Sequence, residues 1–262
     1  MVKIWNDEGH GGYDPGAMGH GLSEKNITLE IGNRIYAILR TRASQVEVNR
    51  TRSSDVYVGL SERARRANNW GANFFASYHV DAGGGNRFTT YIHPSVPNQT
   101  RRIAEGIHKE VAVFFMKYGI NDGGVRTADF AVLRETTMDA CLFENGFIDH
   151  ESHAKLLADE KFLDDLALVY ACAYANVFDF TLALKLPLCR IYLGDFNSVE
   201  WVVETLETVK KLLPNYGVWI ENLEGHSYRI AIGDFNSTAW VNGTFNKLKE
   251  TFPNYGMWVE KL

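Results

Sequence analysis

The stretch VKIWNDEGHGGYDPGA, residues 2–17, sets the start of the fold. Its first residues, Val2 to Asp7, include Val2, Ile4 and Trp5 and predict a strand. Glycines on either side of His10 then indicate a tight turn directly after that strand. Ligands of open α/β sheets bind beyond the carboxyl ends of the strands. His10 is therefore predicted to lie at the functional edge of a sheet.

Strands and helices alternate over the rest of the first 180 residues. Residues 24–41 carry isoleucines at spacings of three and four, which predicts an amphipathic helix. Strands are predicted at 45–49, 73–79 and 140–143, and a second helix at 60–70. This alternation is typical of an α/β fold, with a mostly parallel twisted sheet and helices on both of its faces.

Four residues with metal-binding or acid–base side chains are predicted to meet at one edge of this sheet. His10, His79 and Glu144 lie at or just after predicted strand ends, and Glu24 starts the helix over 24–41. A catalytic zinc takes three ligands from histidine and carboxylate and keeps a fourth position open. Two structural alternatives remain, because a helix N-terminus favours a carboxylate such as Glu24, and His79 can be a hydrogen-bonded histidine at a strand end.

Six short segments, in a fixed order, resemble the zinc-dependent N-acetylmuramoyl-L-alanine amidases, a family that includes sporulation and phage cell-wall amidases. The segments are Gly9 to Ala17, Glu24 to Asn26, Thr51-Arg52 with Asp55, Leu60 to Arg63, Ser77 to Ala82, and Glu144 to Phe147. The resemblance covers roughly residues 2 to 178. It implies that Zn2+ is held by His10, Glu24 and His79, and that Glu144 is the catalytic residue.

The same resemblance implies the reaction, hydrolysis of the amide between N-acetylmuramic acid and the L-alanine of the peptidoglycan stem peptide. Glu144 would then take a proton from water. Two alternatives stay open: a zinc peptidase that cuts within the stem peptide, and an inactive cell-wall-binding protein. Glu8 and Asp81 stand where the family usually has proline and asparagine. Both are candidates to accept a hydrogen bond from a ligating histidine.

The end of the chain is a repeat. Residues 190–198 recur as 229–237 and residues 214–219 recur as 253–258, with an offset of 39 throughout. Each unit predicts a strand, turn, helix and strand, because Gly-Asp-Phe-Asn-Ser supplies a turn and a helix start, and Pro-Asn-Tyr-Gly ends the helix. Two units are too few for a solenoid. They are predicted to form one small α+β domain of βαββαβ order with a pseudo-twofold axis.

This repeat resembles the SPOR-type peptidoglycan-binding domain. The resemblance implies a catalytic domain over 1–180, a linker over 181–188 and a wall-binding domain over 189–262. The last of these carries 7 Lys and Arg against 9 Asp and Glu, so its charge does not favour a polyanionic ligand. Its tryptophans are predicted either to stack on sugar rings or to form its core: Trp201, Trp219, Trp240 and Trp258.

The composition is that of an ordinary globular protein, with 45% hydrophobic and 23% charged residues. A formal charge of −5 gives no footprint for nucleic acid or an anionic membrane. The sequence has no run of about 20 apolar residues, so it predicts no membrane-spanning helix. The first residues turn polar too soon for a signal peptide. We therefore expect synthesis in the cytoplasm, and action on bacterial peptidoglycan, the expected partner of both domains, after release by a phage or by sporulating cells.

The three cysteines, the remaining histidines and three of the arginines receive predictions of their own. The cysteines are predicted to be small buried side chains rather than ligands or disulfide partners: Cys141, Cys172 and Cys189. Surface positions are predicted for His20, His93, His108, His150, His153 and His226. Three arginines are candidates either for substrate carboxylates or for structural ion pairs, namely Arg52, Arg63 and Arg134, with structure favoured for Arg63.

Overall fold

The chain divides into two compact units, Met1–Leu182 and Ala183–Leu262. The computed structural model describes residues 1–183, 189–214, 216–223, 227–235 and 238–261. Most of the predicted linker, residues 184–188, therefore lies outside the described residues, as do His226 and the repeat residues Asn215, Asn236 and Ser237.

The first unit alternates strands and helices. Its strands are β1 (Val2–Glu8), β2 (Met18–Gly19), β3 (Leu22–Ser23), β4 (Val46–Arg50), β5 (Phe74–Asp81), β6 (Arg87–Ile92), β7 (Asn121–Thr127) and β8 (Asp139–Phe147). Its helices are α1 (Glu24–Arg42), α2 (Leu60–Trp70), α3 (Asn98–Met116), α4 (Ala131–Arg134), α5 (Glu151–Leu157) and α6 (Glu160–Phe178). The helices predicted over 24–41 and 60–70 correspond to α1 and α2.

Six strands form the main sheet, in the order β4-β1-β5-β8-β6-β7. The first four are mutually parallel, β6 is antiparallel to β8, and β7 is parallel to β6. The carboxyl ends of β1, β5 and β8 therefore lie side by side in the middle of one edge. That edge is where an open α/β sheet binds its ligands.

Helices cover both faces of this sheet. On one face α1, α3 and α6 enclose the larger core, and α1 contributes an apolar stripe at helical spacing: Ile27, Ile31, Ile35 and Leu39. On the other face α2 and α4 cover a smaller core, which includes Trp5, Phe75 and Leu142. The predicted α/β fold class, with a mostly parallel sheet between helices, is confirmed.

The second unit follows the predicted βαββαβ order. Its elements are β9 (Cys189–Phe196), α7 (Val199–Leu212), β10 (Val218–Leu223), β11 (Ser227–Phe235), α8 (Thr238–Thr251) and β12 (Met257–Lys261). The strands form one antiparallel sheet in the order β10-β11-β9-β12. The equivalent strands β9 and β11 are central and the equivalent strands β10 and β12 are at the edges. This arrangement is that of two halves related by a pseudo-twofold axis.

Two further predictions concern burial. Among the described residues, no helix combines the length and apolar character needed to cross a membrane. Cys141 is buried, as predicted, whereas Cys172 is only half-buried. The side chain of Cys189 lies outside the described part of the chain.

Candidate metal centre

The carboxyl edge of the sheet brings His10, Glu24 and His79 together. His10 lies two residues beyond β1, in a left-handed backbone conformation with φ of 62°. His79 lies near the carboxyl end of β5, which pairs in parallel with β1. Glu24 is the first residue of α1. The three potential ligand atoms all lie within 4.8 Å of one another.

One carboxylate contacts both imidazoles. Glu24 Oε2 lies 3.1 Å from His10 Nε2, and Glu24 Oε1 lies 2.8 Å from His79 Nδ1. The backbone fixes the same carboxylate, because the N–H groups of Ala17 and Val80 donate to it over 2.8 Å and 3.0 Å. Glu24 is therefore buried and oriented before any ligand binds.

Close approach of the loop before α1 requires a glycine. Gly16 has φ of +65°, and a Cβ atom there would lie 2.5 Å from Glu24 Oε2 and 2.7 Å from His10 Cδ2. Any larger residue would displace a candidate ligand and also strain the backbone.

The electrostatics of the cluster favour positive charge next to Glu24. Burial raises the pKa of Glu24, but the hydrogen bonds with His10 and His79 outweigh it and hold that pKa well below its usual range. Burial lowers the pKa of both histidines, but the contacts with Glu24 reverse this and leave the pKa of each raised. An ionised carboxylate between two imidazoles thus favours a cation at this position.

Glu144 lies beside the cluster. The sequence placed it just after a strand, whereas it lies within β8, directly opposite His79 of β5 and Thr89 of β6. The strand is longer than predicted because its pairing with β5 and β6 continues through Glu144. Burial raises the pKa of Glu144 to about 7, and its Oε2 atom is buried without a hydrogen-bond partner.

These residues fit a catalytic zinc ion. Two imidazole nitrogens and a carboxylate are among the three-ligand sets of such sites. The buried, unpartnered Oε2 atom of Glu144 is the kind of group that a water or substrate at a fourth position would satisfy. No other group of three His, Cys, Asp or Glu side chains with this spacing occurs among the described residues.

Asp14 has a role that the sequence reasoning missed. Its Oδ2 atom lies 2.9 Å from His10 Nδ1, so it accepts a hydrogen bond from the ring nitrogen that faces away from Glu24. The only signal in the sequence was the spacing of four residues within a glycine-rich turn.

Glu8 and Asp81 do not have the contacts proposed for them. Glu8 Oε2 accepts from the backbone N–H of Arg52, and its Oε1 has no partner. Asp81 accepts from the N–H of Ala82 and lies 3.5 Å from Arg87. Neither carboxylate reaches a candidate ligand through a hydrogen bond of the described residues, because each side chain is directed to a different neighbour.

The three arginines have structural contacts. Buried Arg63 pairs with Asp7 at 3.0 Å and donates to the carbonyl of His10 at 2.6 Å, so the structural interpretation is confirmed. Arg52 is also buried and donates to the carbonyls of Glu8 and Gly9. Exposed Arg134 pairs with Asp129.

Two histidines are buried, contrary to the surface prediction. His108 lies between Thr90 and Asp122, at 2.9 Å and 2.8 Å. His153 accepts from the N–H of Phe147 at Nδ1 and contacts Asn86 at Nε2. The prediction was wrong for both because each ring finds two polar partners outside its own helix.

The fold and the cluster together define the class, an α/β protein with a candidate metal centre at the carboxyl edge of its sheet. The family model of the N-acetylmuramoyl-L-alanine amidases matches residues 4–175. The chain therefore belongs to the N-acetylmuramoyl-L-alanine amidase family. It hydrolyses the amide between N-acetylmuramic acid and the L-alanine of the stem peptide.

Individual relatives agree with this assignment. A sporulation-specific N-acetylmuramoyl-L-alanine amidase of Bacillus subtilis (strain 168) is 44% identical over 199 residues, which are 75% of this chain and 76% of the relative. The endolysin of Bacillus phage SPP1 is 41% identical over 177 residues, 66% of this chain and 65% of the relative. The catalytic domain of the amidase CwlV from Bacillus (Paenibacillus) polymyxa superposes with a TM-score of 0.63 at 32% identity, covering 68% of this chain and 99% of that domain.

Proposed function

We propose that this amidase is zinc-dependent, with His10, Glu24 and His79 as the metal ligands and Glu144 as the catalytic acid–base residue. The observation that supports this most strongly is the contact of one buried carboxylate, that of Glu24, with two imidazoles, the potential ligand atoms lying within 4.8 Å of one another. Beside them, the Oε2 atom of Glu144 has no hydrogen-bond partner. Zinc bound by these residues would polarise the substrate carbonyl and lower the pKa of a water molecule.

Glu144 has the properties of a proton carrier. A pKa of about 7 lets it accept a proton from the attacking water and later donate it to the leaving amine at neutral pH. Its position opposite His79 keeps the carboxyl group next to the candidate ligands. Asp14 accepts a hydrogen bond from the His10 ring, and the buried Arg63 donates one to the His10 carbonyl, so both hold His10 in place.

Metal content and rate separate the two roles. His10→Ala, Glu24→Ala and His79→Ala should each lower bound zinc, and zinc should restore activity after chelation. His93→Ala, which changes a histidine paired with Asp129, should keep full zinc. Glu144→Gln should bind zinc normally and lose about 100-fold or more in rate. Full zinc in all three ligand variants, or an active Glu144→Gln enzyme, would contradict the assignment.

The products identify the bond that is cut. Mass analysis of fragments from purified peptidoglycan should show free peptides with new L-alanine N-termini. Peptides cut internally would instead indicate a peptidase. No release by a zinc-loaded chain would indicate an inactive wall-binding protein.

We further propose that residues 189–262 form a SPOR-like wall-binding domain, joined through a linker at 181–188 to a catalytic domain at 1–180. Aromatic and arginine side chains on the second unit support this role. Trp201 is 44% exposed, Trp258 stacks at 5.6 Å on the buried Tyr192, and Trp219 lies under Arg190. Exposed tryptophan rings such as that of Trp201 can stack on sugar rings. The side chain of Trp240 lies outside the described part of the chain.

The setting that fits these proposals is lysis. A chain made in the cytoplasm would reach peptidoglycan after release, as a phage endolysin or as an amidase of sporulating cells. The similarity to a sporulation-specific amidase and to a phage endolysin supports this pair of settings.

A further inference from the structure

A row of polar side chains continues from the metal centre past Glu144. His79, Glu144 and Thr89 are directly opposite one another on β5, β8 and β6. Directly opposite residues of neighbouring strands project from the same face of a sheet. Arg87 lies two residues before Thr89 and therefore projects from that face too. The row therefore runs from His79, a candidate metal ligand, to the guanidinium group of Arg87.

Three atoms of this row are buried without hydrogen-bond partners. They are Glu144 Oε2, Thr89 Oγ1 and Arg87 Nε. Thr89 is fully buried, and the only ion-pair partner of Arg87 in the described residues is Asp81, at 3.5 Å. A buried polar atom that is left unpaired destabilises the fold. Unpaired groups beside a catalytic residue indicate a ligand that pairs with them.

The other side of the metal centre is aromatic. Tyr57, in the segment between β4 and α2, lines the same cavity of about 230 Å³ as His10 and His79. Tyr13 stacks on Tyr57 with ring centroids 4.2 Å apart and ring planes 27° apart. Tyr13 is 79% exposed and Tyr57 is 43% exposed. This large aromatic surface at the mouth of the cavity has no apolar cover among the described residues.

The tyrosine pair is held by a rigid support. Asp55 accepts from the N–H of Gly12 and from Lys25, both over 2.7 Å, and Lys25 also donates to the carbonyl of Gly12. These contacts link the turn that carries Tyr13 to the segment that carries Tyr57. A stacking surface fixed in this way loses little entropy when a ligand binds.

We propose that the substrate lies across the sheet edge in one direction, with the glycan over Tyr13 and Tyr57 and the stem peptide along Thr89 and Arg87. The inference rests on the amidase function proposed above. Sugar rings present apolar faces that stack on aromatic rings. The stem peptide instead carries amide groups and carboxylates, which suit a hydroxyl and a guanidinium. The strand order β4-β1-β5-β8-β6 places these two kinds of surface on opposite sides of the scissile bond.

The glycan side is tested by substrates of different glycan length. With the zinc-loaded full chain, Tyr57→Ala and Tyr13→Ala should raise KM about tenfold for a tetrasaccharide peptide and much less for N-acetylmuramyl peptide, with kcat retained. Tyr57→Phe keeps the ring and should recover most of the affinity for the tetrasaccharide peptide that Tyr57→Ala loses. Tyr118→Ala, which changes an exposed tyrosine outside the cavity lining, is the control. An equal change of KM for both substrates would overturn this half of the proposal.

The peptide side is tested by stem peptides with free or amidated carboxylates. Arg87→Gln should raise KM about tenfold for the free form only, and Arg87→Lys should recover part of the loss. Thr89→Val should raise KM several-fold without lowering stability, because its hydroxyl has no partner in the fold. Arg134→Gln is the matched control, since Arg134 is exposed and paired with Asp129.

The outcomes distinguish this proposal from the amidase function itself. Unchanged KM in Thr89→Val and Arg87→Gln would overturn the peptide side, while kcat and products show that the amidase reaction persists. Exchanged effects, with the tyrosines sensing the carboxylates and Arg87 sensing glycan length, would mean that the substrate lies in the opposite direction.

Discussion

At the scale of single residues, Asp14 holds the orientation of His10. The contact of 2.9 Å between Asp14 Oδ2 and His10 Nδ1 leaves Nε2 facing Glu24. Carboxylates that hold a metal-binding histidine in this way typically contribute 10–100-fold in metal affinity. We expect Asp14→Ala to weaken zinc binding by about that factor, measured by competition with a chromophoric chelator. Asp14→Asn keeps a hydrogen-bond acceptor, so its zinc affinity should lie between that of the parent protein and that of Asp14→Ala. Unchanged affinity in Asp14→Ala would exclude this role.

His153 predicts a dependence of stability on pH. Burial, and then the positive charge of His150, lower the pKa of His153 to about 4. The unfolded chain binds its proton near pH 6.5, so between pH 6.5 and pH 4 the unfolded state holds more protons than the folded state. The stability contributed by neutral His153 is therefore complete above pH 6.5 and falls as the pH falls towards 4.

The variant His153→Asn tests this dependence. Asparagine keeps an acceptor near the N–H of Phe147 but does not titrate. We expect a loss of about 1 kcal/mol at pH 7, from the missing contact with Asn86, and a flatter pH dependence between 4 and 6.5. Urea unfolding at several pH values measures both. An equally steep dependence in the variant would show that other groups cause it.

At the scale of elements, α1 approaches β1 closely at one point. A Cβ atom on Gly32 would lie 2.4 Å from Glu8 Cγ. Alanine normally stabilises a helix interior by about 1 kcal/mol relative to glycine. Here overpacking against the buried Glu8 side chain should outweigh that gain, so Gly32→Ala should lower the free energy of unfolding by about 1–3 kcal/mol.

Matched variants isolate the helix contact. Gly243→Ala lies within α8, where nothing is within 4 Å, and should stabilise its unit by about 0.5–1 kcal/mol. Gly32→Ala combined with Glu8→Ala should cost less than the sum of the two single losses, because the side chain that collides is gone. Chemical unfolding measures each difference. A double variant with additive losses would mean that Glu8 is not the colliding group.

The elements that the sequence predicted are those with a local signal. The isoleucine spacing of α1 and the apolar run of β1 lead to correct positions, because periodicity reports which face is buried. The burial of His108 and His153 was not predictable, since their partners lie 6 to 67 residues away in the chain and on other elements of the fold. The same holds for Thr89, which becomes a neighbour of Glu144 only through an antiparallel pairing. His10, Glu24 and His79 were found through motifs rather than through geometry.

At the scale of the whole molecule, each unit has its own core. The first is built around the main sheet and includes Ile4, Phe74 and Tyr170. The second is built from both repeat halves and includes Ile191, Ile230 and Leu248. Because each core is complete within one compact unit, each unit has what a domain needs to fold alone.

Truncation tests the proposed division of labour. A chain ending at Leu184 should stay folded, keep its zinc and cleave small muropeptides at the rate of the full chain, yet sediment poorly with intact cell walls. The isolated region 189–262 should bind walls without cutting them. Its 7 basic against 9 acidic residues predict little dependence of that binding on salt. Glu144→Gln in the full chain is the control, because it should sediment with walls but release nothing. If the truncated chain precipitates and the isolated region ignores walls, residues 189–262 serve the stability or assembly of the enzyme, and the wall-binding proposal is wrong.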